Sequence, residues 1–474
     1  MRTTEHIYVD GRFVEPHGRE LFDLHNPATG EVIGQVRLGD AQDARAAIAA
    51  ARRALPAMAR TTKAQRLQML ETLRTAMRAR ADELYEAIQE EYGAPVALAR
   101  WQANYAADVF EAVARTLADY PLEREIGASR VLMQPVGVVG LITPWNANAG
   151  FICNKLAHAI AAGCTAVIKP SEMSATQTEV VLRALHEAGL PAGVYNVVNG
   201  RGAEVGAEIA AHPDVGKISF TGSTAVGKSI LRASADTLKR VTLELGGKSP
   251  TVVLDDADLD AVIRGIIETA FMNSGQACIA GTRLLVPEAR RDEIEARLKA
   301  AIEAGVKVGD PRDPATTVGP MVSQAQWERV QGYIRLGVEE GARLLTGGEG
   351  RPDGLAGYFV RPTVFTDVRN DMRIAREEIF GPVLCVLGYR DDDDAVAIAN
   401  DTTYGLSAYV FGDQTRAGQI AGRLESGRVV INGAPHDPAT PFGGMKQSGL
   451  GRENGPFGLD AYLEPKAVLG ARLA

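Results

Sequence analysis

The stretch Val136-Gly137-Val138-Val139-Gly140-Leu141-Ile142-Thr143-Pro144-Trp145-Asn146 decides the fold. An apolar run of strand length ends in a Thr-Pro turn, a helix-length segment from Lys155 to Ala162 follows, and a second apolar run, Ala166 to Ile168, comes after it. The alternation continues with helical stretches at Ala175 to Ala188, Glu204 to Ala211 and Val226 to Ala235. The apolar runs between them are Val194 to Val198, Lys217 to Phe220 and Val241 to Leu245. Strands alternating with helices of this length predict an α/β fold with a doubly wound, mostly parallel sheet.

Upstream, Lys63 to Glu91 carries Leu67, Leu70, Met77, Leu84 and Ile88 among charged neighbours, which is amphipathic helical spacing. Downstream, a second αβ series opens near Ser249, past a boundary at Gly246-Gly247. It has an acidic helix start at Asp255-Asp256-Ala257-Asp258 and a helix running to Asn273. Arg283 to Val286, Ile379 to Val386 and Tyr409 to Phe411 supply further strands. The glycine- and proline-rich segments 347–352 and 433–444 read as surface or site-forming loops.

At 474 residues the chain exceeds what one hydrophobic core usually supports, so two or more domains are expected. With 46% hydrophobic and 23% charged residues its composition is that of a globular protein. The formal net charge of -8 leaves no electrostatic footprint for nucleic acid or an anionic membrane. Cys153, Cys164, Cys278 and Cys385 show no paired spacing, so neither a disulfide framework nor a metal site is expected. Reduced thiols and the lack of an apolar leader or an 18-residue apolar run point to a cytoplasmic protein without a membrane segment.

Chemistry concentrates in Glu244-Leu245-Gly246-Gly247-Lys248 and Gly275-Gln276-Ala277-Cys278, a carboxylate and a thiol each beside glycines. Covalent catalysis needs such a pair: a thiolate to attack, and a base to activate the water that releases the acyl group. Locally, Cys278 between Ala277 and Ile279 also reads as a packed core thiol. Glu244 falls inside an apolar strand, where it is either salt-bridged or held at a raised pKa. Asn146, at the carboxyl edge of the sheet, reads as an oxyanion donor or as an Asx turn. Lys169-Pro170-Ser171-Glu172 follows the next strand, and its Lys and Glu suit ribose hydroxyls or a solvated turn. Phe220-Thr221-Gly222-Ser223 leaves a strand and enters a helix, as a pyrophosphate site does, without the GxGxxG pattern.

Together these segments closely resemble the NAD(P)-dependent aldehyde dehydrogenase superfamily, in order and spacing over nearly the whole chain. Glu377-Glu378-Ile379-Phe380-Gly381-Pro382 and Pro441-Phe442-Gly443-Gly444-Met445-Lys446-Gln447-Ser448-Gly449 extend the resemblance. It implies a Rossmann-like cofactor domain (1–121 and 137–246), an αβ catalytic domain (247–455) and a small β extension (122–136 and 456–474) that joins subunits. A homodimer or homotetramer follows from that extension. It further implies that Cys278 is the nucleophile, that Asn146 and the Cys278 N–H hold the oxyanion, and that Glu244 activates the hydrolytic water. Lys155 and Glu464 match positions that relay the proton outward.

For the cofactor, the resemblance implies Ile142, Thr143, Trp145, Lys169, Glu172, Gly202, Gly222 and Ser223 around adenosine and pyrophosphate. Leu245, Glu378 and Phe380 would sit at the nicotinamide end. A carboxylate at Glu172 accepts from a free 2′-hydroxyl and repels a 2′-phosphate, so NAD is expected rather than NADP. The aldehyde tunnel is expected at Trp101, Ala147, Gly150, Phe151, Asn154, Met272, Ala277, Ile279, His436 and Phe442. Small or polar Ala147, Gly150 and Asn154 would widen it toward a medium-to-large aromatic or polar-substituted aldehyde. No Arg or Lys falls among these positions, which argues against a dicarboxylic semialdehyde. Two alternatives stand beside hydrolytic oxidation: a coenzyme A-acylating relative, which usually lacks the glutamate base, and a non-catalytic structural relative.

Overall fold

A computed structural model describes residues 2–470 of the chain, and two large sheets organise it. The first has eight strands, in the order Gly449–Leu450, Arg240–Glu244, Val215–Thr221, Val138–Ile142, Thr165–Lys169, Tyr195–Val197, Ile7–Val9 and Arg12–Val14. Its five central strands, Arg240–Glu244 to Tyr195–Val197, run parallel, and antiparallel strands close both edges. The second has seven: Arg343–Thr346, Thr363–Thr366, Val383–Tyr389, Arg283–Pro287, Pro250–Val253, Ser407–Phe411 and Arg428–Ile431. All its pairings are parallel except that of Arg343–Thr346 with Thr363–Thr366.

Helix Asn148–Ala162 follows the strand that opened the sequence argument, and all but Phe151 of its residues are buried. It packs between the sheet and the long helix Val96–Asp119, so it is apolar all round rather than striped. Gly163 ends it in the left-handed conformation, φ 83°, where a Cβ would collide with the Arg66 guanidinium.

Three local expectations differ from the structure. The segment from Lys63 to Glu91 is two helices, Lys63–Ala79 and Ala81–Glu91, because Arg80 leaves helical geometry at φ -109°, ψ 14°. The helix expected to reach Asn273 stops at Ala270, since Asn273, Ser274 and Gly275 all adopt positive φ. The strand expected from Ile379 begins at Val383, because Phe380 is left-handed and Pro382 has no N–H to give to a ladder.

Strands Glu123–Ile126, Ser129–Pro135 and Leu463–Leu469 form a separate antiparallel sheet in which Glu464 faces Gln134 in register. Another small sheet joins Arg2–Thr4, Val32–Arg37 and Leu21–His25. Met1 and residues 471–474 of the expected cofactor domain and extension lie outside the described residues. Among the described residues no helix is long and apolar enough to cross a membrane.

Candidate active site

Glu244 ends one parallel strand, and the chain then turns into the second sheet through Gly246-Gly247. Those glycines are required by close approach. A Cβ on Gly247 would collide with the Cys278 carbonyl, and one on Gly246 with the Glu378 carboxylate. Gly247 N–H donates to Glu378 Oε1 at 3.0 Å, which fixes that carboxylate beside the hinge between the sheets. Burial pushes the Glu378 carboxyl up to about 7, against the pull of this backbone donor.

Cys278 leaves a loop of three consecutive left-handed residues, Asn273 (φ 52°), Ser274 (φ 57°) and Gly275 (φ 75°). Gln276 clamps the loop: its Oε1 accepts from Val322 N–H at 2.9 Å and its Nε2 donates to Pro320 O at 3.3 Å. The thiol is half-buried, and desolvation, with the charges of Glu378 and Glu244, pushes it up to about 12. The resting group is therefore a thiol, although the positive charge of Arg428 pulls toward the thiolate.

Asn146 is buried at the start of the turn after strand Val138–Ile142. Its Nδ2 donates to Gln276 O at 2.9 Å, two residues before the nucleophile. Its own carbonyl accepts from Asn273 Nδ2 at 3.0 Å and Gln102 Nε2 at 3.3 Å. The side chain thus bridges the two segments instead of closing an Asx turn on itself, and its second N–H remains available.

Glu244 is fully buried, and neither carboxylate oxygen has a hydrogen-bond partner. Desolvation, then the charge of Glu453, raises it well above the ordinary carboxylate range; Lys155 and Arg452 pull the other way. Of its two sequence readings, the salt-bridged one is excluded. Gly443, at φ 147°, comes close enough that a Cβ there would lie 2.7 Å from Glu244 Oε1. Phe442, the next residue back, lines a cavity with Cys278, so one loop touches both Glu244 and that cavity.

That cavity has a volume of about 650 Å³. It brings together Cys278, Asn146 and all ten expected tunnel residues: Trp101, Ala147, Gly150, Phe151, Asn154, Met272, Ala277, Ile279, His436 and Phe442. Gly150 abuts Tyr105, where a Cβ would stand only 3.1 Å from the ring, so a larger residue there would crowd the wall. None of the ten is an Arg or Lys, but a further lining residue that the sequence reading missed is: Arg428, at the start of an edge strand, reaches the cavity. Its position in sequence, five residues before the glycine of a loop, carried no signal of this.

Lys155 and Glu464, the two residues expected to relay the proton outward, have different partners. Lys155 Nζ forms an ion pair with Glu453 and donates to Ser219 Oγ at 2.9 Å, all buried. Burial works against the Glu453 charge, but Lys155 and Ser219 hold its carboxyl below the usual range. Glu464 lies on the exposed strand Leu463–Leu469 and pairs with Arg240. Sequence proximity to the Tyr462-Leu463-Glu464 motif misled the reading; Glu453, in Gly451-Arg452-Glu453, reaches the site because Phe442 and Glu453 pair backbone to backbone across the loop.

The expected cofactor residues gather at the carboxyl ends of the first sheet's parallel strands. Trp145 meets Phe380 edge to face, centroids 5.4 Å apart. Lys169 Nζ lies 3.0 Å from Glu172 Oε2, and Arg201 stands 3.7 Å from the other oxygen. Ser223 Oγ caps helix Thr224–Ala235, and Leu245 packs on Gly227 of that helix. Nothing lies within 4 Å of a Cβ built on Gly202, so open space stands beside it. Ile142 is in the core beneath, and Thr143 N–H donates to Lys169 O at 3.1 Å. A helix N-terminus, a ribose-type carboxylate and an aromatic pair at the carboxyl ends of parallel strands fit a dinucleotide.

A family model for the aldehyde dehydrogenase family matches residues 13–468. The chain belongs to the aldehyde dehydrogenase family. This aldehyde dehydrogenase is 48% identical to a 3-succinoylsemialdehyde-pyridine dehydrogenase of a Pseudomonas species, with 99% of each chain covered. Its fold superposes at a TM-score of 0.97 on aldehyde dehydrogenase C of Pseudomonas syringae, solved as a cysteine-to-alanine mutant with NAD+ and octanal. That pair is 44% identical and covers 99% and 98% of the two chains. A Mycobacterium tuberculosis aldehyde dehydrogenase complexed with NAD+ matches at a TM-score of 0.96 and 39% identity, with 99% and 98% covered.

Proposed function

We propose that this enzyme oxidises a medium-to-large aldehyde to the free carboxylic acid with NAD, through a covalent adduct on Cys278. The observation that carries the hydrolytic reading is Glu244, buried with both oxygens unpartnered beside the loop that lines the tunnel. A carboxyl raised by burial and left without a partner suits a general base for thioester hydrolysis, which an enzyme that hands its acyl group to coenzyme A has no need of.

In this reading the Cys278 thiol gives up its proton to water as its sulfur attacks the aldehyde carbon, and the oxyanion takes hydrogen bonds from Asn146 Nδ2 and the Cys278 N–H. NAD, when bound, accepts the hydride released as the thiohemiacetal becomes a thioester. Glu244 then takes a proton from water, which attacks the thioester and frees Cys278. Glu453 and Lys155 stand behind Glu244 as the next stations for that proton, replacing the Glu464 route. Lys169, Glu172, Gly202, Gly222 and Ser223 would hold adenosine and pyrophosphate, with Trp145, Leu245, Glu378 and Phe380 toward the nicotinamide.

Substrate size is supported by the cavity and by relatives named for a pyridyl semialdehyde and solved with octanal. The antiparallel sheet of 123–135 and 463–469 supports assembly into a homodimer or homotetramer, its exposed Ile126 and Leu469 being covered in the assembly. Four free cysteines support a reducing, cytoplasmic setting.

The test is NADH production across an aldehyde panel without coenzyme A, beside Cys278→Ala. The expected result is acid formation with octanal-sized and aromatic aldehydes, and loss of turnover by roughly a thousandfold or more in the variant. Turnover that requires coenzyme A would overturn the hydrolytic reading.

A further inference from the structure

Arg428 is unusual among the arginines of this chain. It begins edge strand Arg428–Ile431, faces Ser407 in register, and is half-buried with its guanidinium on the substrate cavity. The only hydrogen bond its guanidinium makes among the described residues is a long one, Nη2 to the Tyr409 hydroxyl at 3.5 Å, while its Nε is buried with no partner. No carboxylate neutralises it. The fully buried Arg283, by contrast, donates to Lys248 O, Asn370, Ile398 O and Ala399 O.

Its location is well defined. The Tyr409 hydroxyl donates to Ile279 O at 2.7 Å, so Arg428 is anchored one residue from Cys278 on the tunnel wall. Around it the lining is mostly apolar or aromatic, including Phe151, Phe411 and Phe442. A buried donor aimed at apolar surroundings is costly unless a ligand completes it.

The remaining charges of the tunnel select the kind of ligand. Glu268 and Asp437 line the same cavity, and neither is ion-paired among the described residues. Glu268 and Asp437, with Glu453 already paired to Lys155, outweigh the single guanidinium and leave the cavity unfavourable for an anionic tail. An uncharged acceptor meets the guanidinium without that repulsion.

Building on the aldehyde-oxidising reading above, we propose that Arg428 is a specificity residue that donates to a neutral carbonyl oxygen on the substrate's tail. The preferred substrate is thus an oxo-aldehyde, the keto oxygen lying a few bonds from the reacting carbon. The keto oxygen supplies the acceptor that the terminal Nη groups lack in the free enzyme. A plain alkanal of the same length leaves that donor unmet and is bound less well.

The experiment compares kcat/KM for 4-oxooctanal, octanal and 8-oxooctanoate in wild type, Arg428→Leu and Arg428→Lys, with thermal melting and NAD binding as checks on folding. Wild type is expected to prefer 4-oxooctanal over octanal by roughly ten- to a hundredfold, the range of a hydrogen bond to a charged donor. The ratio collapses toward unity in Arg428→Leu and is partly kept in Arg428→Lys. If Arg428→Leu fails to fold, the wild-type ratio and the Lys variant still decide. Equal efficiency on 4-oxooctanal and octanal in wild type, or a ratio unmoved by both substitutions, overturns the proposal while leaving aldehyde oxidation intact. Highest efficiency with 8-oxooctanoate overturns the neutral-acceptor assignment. Failure to oxidise any of the three instead points to the underlying reading of the reaction.

Discussion

Glu244 shows how much a single side chain owes to its surroundings. Its carboxyl is raised chiefly by desolvation and then by Glu453, so between the ordinary glutamate range and its own raised pKa the folded protein holds a proton that the unfolded chain has lost. Stability contributed by this group is complete at pH below about 4.5 and falls as pH rises through the folded value. Glu244→Gln is therefore expected to melt higher than wild type at pH 8, with the gap narrowing toward pH 5, by scanning calorimetry. The same variant should stall after acylation. Stopped-flow should record one rapid equivalent of NADH per site, followed by turnover slowed by roughly a hundred- to ten-thousandfold, the span of general-base catalysis. In wild type the deacylation rate is expected to rise with pH along a limb set well above the ordinary carboxylate range. Glu172 adds a second residue-scale expectation. Lys169 and Arg201 flank it, so Glu172→Gln leaves both cations free to meet a 2′-phosphate, and the NAD-over-NADP ratio of kcat/KM should fall at least about tenfold.

At the scale of elements, the nucleophile depends on a loop rather than on a strand or helix end. Asn273, Ser274 and Gly275 hold three successive left-handed conformations, and a Cβ on Gly275 would run into the Gly381 carbonyl. Gly275→Ala is expected to displace Cys278 and remove activity, read as lost labelling of Cys278 by a thiol reagent alongside retained NAD binding. The two ion pairs confused by the sequence separate cleanly here. Glu453 is buried against Lys155, and truncating one partner of such a pair costs about 3–5 kcal/mol because the other charge is stranded. Glu464 and Arg240 are each nearly half exposed, where an ion pair is worth about 1 kcal/mol or less. The Tm of Glu453→Ala is accordingly expected to fall well below that of Glu464→Ala. The periodicity of Lys63 to Glu91 was readable, but its break at Arg80 was not, because packing against helix Val96–Asp119 and not local propensity fixes the bend.

For the whole molecule, the two large sheets meet where Glu244 hands over to Gly246-Gly247, and both the base and the nucleophile belong to that junction. The segment 442–454 leaves the second sheet and returns to the first as strand Gly449–Leu450, pairing Gly449 with Glu244. That return carries Phe442 to the tunnel, Gly443 to the base and Glu453 to Lys155. The strand alternation from Val136 to Leu245 determined the parallel sheet, since apolar runs of that length between helices have few other ways to bury both faces. Motif chemistry likewise singled out the thiol, the carboxylate and the amide as candidates, and the family resemblance implied ten tunnel positions that one cavity brings together. Tertiary structure alone decided that Glu453 and not Glu464 partners Lys155, and that Arg428 reaches the tunnel with an unmet donor. Both facts depend on which distant segments meet, and spacing along a chain does not encode the direction in which an edge strand or a returning loop delivers its side chains.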